Sequence, residues 1–245
     1  GVQATAGTGT PLGIIPCGTG NDVARYLGLP RDDHRAAAER VLAGQTRTIY
    51  LARTIDPART IDPARGGHRY FVTVLAAGFD AVVNERANRM AWPKGQMRYN
   101  VATLAELRTF RPIPYTLRLD GPAGPVTRSL RAMLVAVGNG PSFGGGLRIT
   151  HGALLDDGLL DVVIIKPMSR LGLVRTYPKL FKGTHVTHPA YEHHRVRSVT
   201  ISLQETMQAG AGREVPRIVA YADGERLAPL PLTVECAPGA LTVLC

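Results

Sequence analysis

Long apolar runs are missing from this 245-residue chain. None approaches the roughly 20 residues a helix needs to cross a bilayer, so no membrane-spanning helix is expected within these residues. The opening residues, Gly-Val-Gln-Ala-Thr-Ala-Gly-Thr-Gly-Thr, lack both a basic segment and an apolar core, so they are not a signal peptide. No initiator Met precedes them, and the sequence reads as the middle of a longer chain. Cysteine is scarce: Cys17, Cys236 and Cys245 are odd in number and scattered. That excludes a disulfide framework and a cysteine-based metal spacing, and a reducing cytoplasm is expected. Acidic residues are outnumbered, 19 Asp+Glu against 29 Lys+Arg, for a net charge of +10. Lys94, Lys166, Lys179 and Lys182 are the only lysines, so arginine carries the charge. Genome composition accounts for that as readily as an acidic membrane surface, a polyphosphate ligand or nucleic acid. The basic residues are dispersed, with no basic–aromatic patch or nucleic-acid module, so nucleic acid is not the expected partner.

What is present is concentrated in residues 12–25, Leu-Gly-Ile-Ile-Pro-Cys-Gly-Thr-Gly-Asn-Asp-Val-Ala-Arg. Leu12 to Ile15 reads as a buried strand ended by Pro16. Gly18-Thr19-Gly20 follows as a loop, and Asn21 or Asp22 caps a helix starting at Val23. Such a loop leaves backbone N–H groups free to hold a phosphate, although most strand–glycine–helix units are structural. Thr19, Asn21 and Asp22 add polar side chains at the same point. An acid beside a phosphate site implies a bound cation, because two anions repel.

A second helix is expected from Asp33 to Leu42, stopping at Gly44. From Arg47 the pattern turns to strands: Thr48–Ala52, Tyr70–Ala76, Tyr115–Leu119, Ser129–Val137, Leu160–Ile165, Arg195–Leu203, Arg217–Ala222, Leu232–Glu235 and Ala240–Leu244. Helices are expected at Asp80–Asn88 and from Met97 to Phe110. Arg-Thr-Ile-Asp-Pro-Ala occurs twice in tandem, at 53–58 and 59–64, and reads as a long hairpin loop. Residues 204–216 read as a mobile loop. The expected fold class is therefore an α/β remnant of a nucleotide-binding domain, residues 1–46, followed by a mainly β domain, a β-sandwich over 47–245. The last strand is a candidate to return to the first domain.

Three further blocks carry candidate chemistry. The glycine-dense run from Val137 to Leu147 suits either a tight turn or close backbone approach to a ligand. Leu154-Leu-Asp-Asp-Gly-Leu159 is either a simple turn or, with paired carboxylates, a hard-cation site. Tyr221-Ala-Asp-Gly-Glu225 is a strand running into an Asp-Gly turn. The stretch Met168–Lys182 mixes Leu171, Leu173, Val174, Leu180 and Phe181 with Arg170, Arg175, Lys179 and Lys182. It reads either as a helix packed on the sandwich or as an interfacial helix facing anionic lipid, and Pro178 is expected to break it before its end. His185, His188, His193 and His194 lack a consistently spaced fourth ligand for zinc and read as exposed loop histidines.

The cluster Gly18-Thr-Gly-Asn-Asp-Val-Ala-Arg25 resembles the Gly-Thr-x-Asn-Asp-x-Ala-Arg motif of the diacylglycerol kinase catalytic family. That family includes bacterial soluble lipid kinases and sphingosine kinases and is distantly related to NAD kinases. Val137-Gly-Asn139 with the following glycines, Asp156-Asp-Gly158 and Asp223-Gly-Glu225 resemble further family blocks, in the same order from Pro11 onward. The resemblance implies transfer of the γ-phosphoryl of ATP to a lipid hydroxyl, with ATP and Mg²⁺ as cofactors. It implies nucleotide or Mg²⁺ contacts at Gly18, Thr19, Gly20, Asn21 and Asp22. It implies a structural Mg²⁺ held by the Asp157 side chain and the carbonyls of Leu154 and Leu159. The implied base is Glu225, with Asp223 the alternative. Diacylglycerol is the expected acceptor, with a sphingoid base or other long-chain alcohol, or a non-catalytic lipid-surface remnant, as alternatives. The expected setting is cytoplasmic, peripheral and transient at an anionic inner membrane face, with a homodimer left open. The family also carries Gly-Gly-Asp-Gly-Thr upstream of this block. This chain begins downstream of it, so these residues alone are expected to bind ATP poorly.

Overall fold

Alternation explains most of the strands. In β5 (Ile113–Gly121), Ile113, Tyr115, Leu117 and Leu119 are buried while the residues between them face out, the period of two that one packed face imposes. A computed structural model describes residues 1–18, 20–55, 68–92, 98, 101–102, 105–106, 111–204 and 218–245, with side chains for all of these except 80, 81, 84, 85 and 88. Short elements come first: α1 (Val2–Thr5), β1 (Leu12–Gly13), α2 (Asp22–Tyr26) and α3 (His34–Leu42). Two sheets follow. The first runs β3 (His68–Phe71), β2 (Thr46–Ile55), β13 (Leu232–Leu244), β10 (Ser198–Leu203), β5, β6 (Gly124–Ala132). The second runs β12 (Glu225–Pro229), β11 (Val219–Ala222), β4 (Val74–Gly78), β7 (Leu134–Gly138), β8 (Leu160–Ile165), β9 (Tyr191–Val196). The molecule is thus an α/β portion leading into a two-sheet β-sandwich.

The sandwich core lies between the sheets, where Tyr115, Leu117, Val199 and Ile201 of the first meet Leu160, Val162 and Ile164 of the second. Each such aliphatic side chain contributes about 1.5–3 kcal/mol by burial. The second sheet is also covered outside, where Val74, Ala76, Leu134, Ala136, Ile149 and Val163 pack with Leu180 of α5 (Arg170–Lys182). That double burial makes β4, β7 and β8 continuous apolar runs instead of alternating ones.

Three expected strands are each two strands in different sheets. Tyr70–Ala76 breaks at Val72–Thr73, Ser129–Val137 at Met133, and Arg195–Leu203 at Arg197. At each break the backbone bonds sideways. Met133 N donates to Ile165 O (2.8 Å) and its carbonyl accepts from Phe79 N (2.9 Å). Arg197 N donates to Asp120 O (2.7 Å) and its carbonyl accepts from Cys236 N (3.0 Å). Conversely, the two expected C-terminal strands are one, β13, with its register shifting between Ala237 and Leu241. Its end lies parallel to β1, Leu12 against Val243 and Gly13 against Leu244. The apolar run Leu12–Ile15 yields only this two-residue strand.

Of the helices, α3 starts at an Asp33 cap that accepts from Ala36 N (2.9 Å), and α4 covers Phe79–Arg89. Helix α5 runs through Pro178 to a left-handed Gly183 instead of breaking. Pro178 cannot bond the Val174 carbonyl, but both residues are exposed to solvent. Most of the expected 97–110 helix, the tandem segment beyond Ile55 and the 205–216 loop lie outside the described residues.

Candidate active site

The turn before α2 is closed by Asn21. This residue adopts a left-handed φ of 51°, which Asn tolerates. Its side chain bonds Gly18 both ways, Nδ2 to the carbonyl at 2.7 Å and Oδ1 from the amide at 3.2 Å. It stands at the N-cap position without a side-chain cap bond. Thr19 lies outside the described residues. Asp22 turns inward, its side chain 10% exposed. It pairs with Arg25 at 2.5 Å and accepts from Ser142 Oγ and Gly145 N, both at 2.8 Å. Arg25 also donates to Gly20 O (3.1 Å). Asp22 therefore clasps the 138–147 loop to the start of α2.

That loop reaches in three directions. Ser142 and Gly145 hold Asp22. Phe143 and Leu147 line an apolar cavity with Leu173, Tyr177 and Leu180 of α5. At its base, the amides of Asn139 and Gly140 both donate to Thr73 O at 2.9 Å. The buried Asn139 amide donates to Tyr50 O (3.0 Å) and Val72 O (2.9 Å). Only glycine fits at 138, where a Cβ would lie 2.5 Å from Thr150 Oγ1.

Asp223 and Glu225 sit at the β11–β12 hairpin. Asp223 (φ 51°) and Gly224 (φ 81°) form a two-residue loop with left-handed backbone at both positions, the geometry for which Asp-Gly is suited. The residue lies on an exposed turn, yet its carboxyl points in and accepts from Val72 N (2.8 Å), Thr73 N (2.9 Å) and Thr73 Oγ1 (2.6 Å). These bonds replace the ladder where the chain passes from β3 to β4. Burial of the carboxyl raises its pKa, with Glu225 adding to the rise and the Thr73 and Val72 donors opposing it. Glu225 is 74% exposed, with Arg69 Nη2 at 3.2 Å. Both acids line a cavity with Gly1, Gln3 and Arg69. The glycine turn and the acid pair are thus joined through one path: Asp22, the 138–147 loop, Thr73, Asp223.

The residues expected to hold Mg²⁺ are occupied otherwise. Asp157 Oδ1 accepts from Leu159 N (3.0 Å), and Oδ2 pairs with Arg195. Leu154 is 48% exposed, and Asp156 pairs outward with Arg47 (2.9 Å). With a guanidinium on the one carboxylate of the set, these residues as placed do not fit a divalent cation. Among the described residues no group of three or more His, Cys, Asp or Glu side chains is arranged to hold one either.

The histidines are not all exposed. His185 is buried, its Nε2 3.2 Å from Ile149 O, and burial chiefly lowers its pKa. His193 bonds Asp161 (2.6 Å) and His194 bonds Glu192 (2.8 Å). Sequence reasoning missed Thr73, Ser142 and Arg69. Only Ser142 carried a signal, as the polar residue within the glycine run.

Comparisons with known proteins show what the chain is similar to. Residues 73–245 match the model for the YegS C-terminal NAD kinase beta sandwich-like domain, and residues 1–54 match the diacylglycerol kinase catalytic domain. The chain is 44% identical over 245 residues to a diacylglycerol kinase of Mycobacterium tuberculosis strain H37Rv, spanning 99% of this chain and 72% of that protein. It is 27% identical over 198 residues to a diacylglycerol kinase of Bacillus subtilis strain 168, spanning 80% of this chain and 60% of that one. A crystal structure of a diacylglycerol kinase from Bacillus anthracis strain Sterne shares the fold, with a TM-score of 0.60 at 20% identity, covering 96% of this chain and 66% of that one. No helix among the described residues is long and apolar enough to cross a membrane.

Proposed function

The chain belongs to the family of diacylglycerol kinases and YegS-like lipid kinases and is a lipid kinase; from that premise we propose that it transfers the γ-phosphoryl of ATP to diacylglycerol, giving phosphatidic acid. One observation carries this reading. A single glycine-rich loop clasps the polar turn before α2 with Ser142 and Gly145 and lines an apolar cavity with Phe143 and Leu147. A phosphate-bearing donor and a lipid acceptor need such a shared wall to meet.

In this reading the donor phosphates lie against the amides of Gly20 to Asp22 and the neighbouring glycine loop, and a short apolar segment of the acceptor enters the cavity. A lipid hydroxyl is a weak nucleophile at neutral pH. Glu225 takes its proton as the oxygen bonds the γ-phosphorus and the bond to the β-phosphate oxygen breaks, releasing ADP. Arg69 positions that carboxylate. Asp223 holds the hairpin that presents it, and its inward carboxyl makes it the weaker candidate for the base. Mg²⁺ carried in with ATP would supply charge neutralisation for its phosphates; Asp157 is assigned no step. The proposed setting is cytoplasmic, peripheral at the inner membrane face.

Assaying labelled ATP over a panel of lipids tests this. Glu225→Gln is expected to lower turnover by at least about 100-fold while nucleotide binding and thermal stability stay close to the parent. Parent-like turnover in that variant would remove Glu225 from the mechanism. Preferred phosphorylation of a sphingoid base would replace the acceptor.

A further inference from the structure

We propose that the outer face of α5 docks the protein on a bilayer of anionic lipid, holding the apolar cavity against the membrane surface. The inference deepens the lipid-kinase reading and rests on it for the purpose of docking, though not for its test.

The helix has two unlike sides. Its inner side contributes Leu173, Thr176, Tyr177 and Leu180 to the cavity wall. At about 100° per residue, Phe181, Val174, Pro178 and Leu171 fall in one stripe on the opposite side. The three large apolar members are 43%, 48% and 56% exposed in the order Phe181, Val174, Leu171. Arg170 borders the stripe on one edge, and Lys182, Arg175 and Lys179 border it on the other, all exposed. The helix has no acidic residue, and among the described residues none of its four cations pairs with an acidic side chain. An apolar strip edged by cations suits the interface of an anionic bilayer.

Cavity size gives a second, independent argument. The cavity, partly open to solvent, measures about 100 Å³, less than the roughly 150 Å³ that holds one benzene in an engineered cavity. Two acyl chains do not fit. Most of a diacyl lipid must stay in the bilayer while its hydroxyl reacts, so the cavity has to be held at the surface. The helix that walls the cavity is the element placed to hold it there.

Co-sedimentation of the chain with vesicles tests this without ATP or acceptor, so docking and turnover can fail separately. Binding to phosphatidylcholine vesicles containing phosphatidylglycerol is expected to exceed binding to phosphatidylcholine alone by at least about tenfold and to fall with salt. Arg175→Glu combined with Lys179→Glu should cut it about tenfold or more, and Leu171→Ser with Val174→Ser should cut it at every salt concentration, while circular dichroism and the melting temperature confirm a folded chain. Parent-like binding by both folded double variants overturns the proposal, as does equal binding to neutral vesicles. So does a dimer in sedimentation velocity that the Leu171→Ser/Val174→Ser variant abolishes, since a second copy would then cover this face. If either double variant fails to fold, Val174→Ala with Leu171→Ala replaces it, with the same expected direction and a smaller loss.

Discussion

Two acidic turns in this molecule have the same outline and different tasks. In each, one carboxyl points in and one points out to an arginine: Asp157 with Asp156–Arg47, and Asp223 with Glu225–Arg69. The inward acid of the first turn bonds an amide two residues along and takes Arg195 as its counter-charge. Among the described residues the inward acid of the second has no cation on it. It binds amides some 150 residues away, at the point where the chain leaves one sheet for the other. A carboxylate neutralised by a neighbouring guanidinium is a local fixture. One satisfied by distant backbone is a joint between layers, and it sets where Glu225 stands.

Removing each inward acid breaks that comparison open. Asp223→Ala strands the amides of Val72 and Thr73, which are 4% and 9% exposed as residues. It is expected to cost about 2–4 kcal/mol. Asp157→Ala loses one local bond and a half-exposed ion pair, about 1 kcal/mol or less. Urea midpoints of the two variants measure the gap. Equal losses would mean that the β3–β4 crossing does not depend on Asp223.

This asymmetry was beyond sequence reading. The motif positions, the helices at α2 and α3, and the β-rich character of the second part were legible, because capping residues and period-two patterns are local signals. The crossings at Val72–Thr73, Met133 and Arg197 were not. Tyr70–Ala76 and Ser129–Val137 each read as one unbroken strand, and no residue type marks where the ladder partner changes. Whether an Asp-Gly turn sends its carboxyl inward is decided by the distant amides it meets. Arg195 on Asp157 was hidden for the same reason: the two are 38 residues apart and meet only through the β8–β9 pairing.

Charge sharpens the contrast further. Burial wins at Asp223 and raises its pKa. Burial also opposes ionisation at Glu192, but Lys166, His194 and Arg128 outweigh it and hold that pKa at about 2. The signs are opposite. Asp223 binds more protons folded than unfolded, so its contribution weakens as pH rises through its raised value. Glu192 binds fewer, so its contribution is present above its ordinary 4.5 and is lost as pH falls toward about 2. Glu192→Gln is therefore expected to be less stable than the parent near neutral pH and to flatten the acid limb by on the order of 2 kcal/mol, read as urea midpoint against pH. An unchanged acid limb would show that the cations around Glu192 do not govern its ionisation.

The smallest effect asks whether the first turn could be made to resemble a cation site. Arg195 donates to Asp157 Oδ2 and lies within 4.0 Å of Asp161, so it supplies the positive charge that this corner requires. Arg195→Ala removes that charge and leaves one carboxylate oxygen unpaired. A hard cation accepts such an oxygen and fills its remaining positions with water. Added Mg²⁺ is expected to leave the parent melting temperature unchanged and to raise that of Arg195→Ala by about 1–2 °C, the size of a weak binding linkage in a domain of this length. A Mg²⁺-dependent rise in the parent that Asp157→Ala abolishes would show instead that the guanidinium yields to the metal.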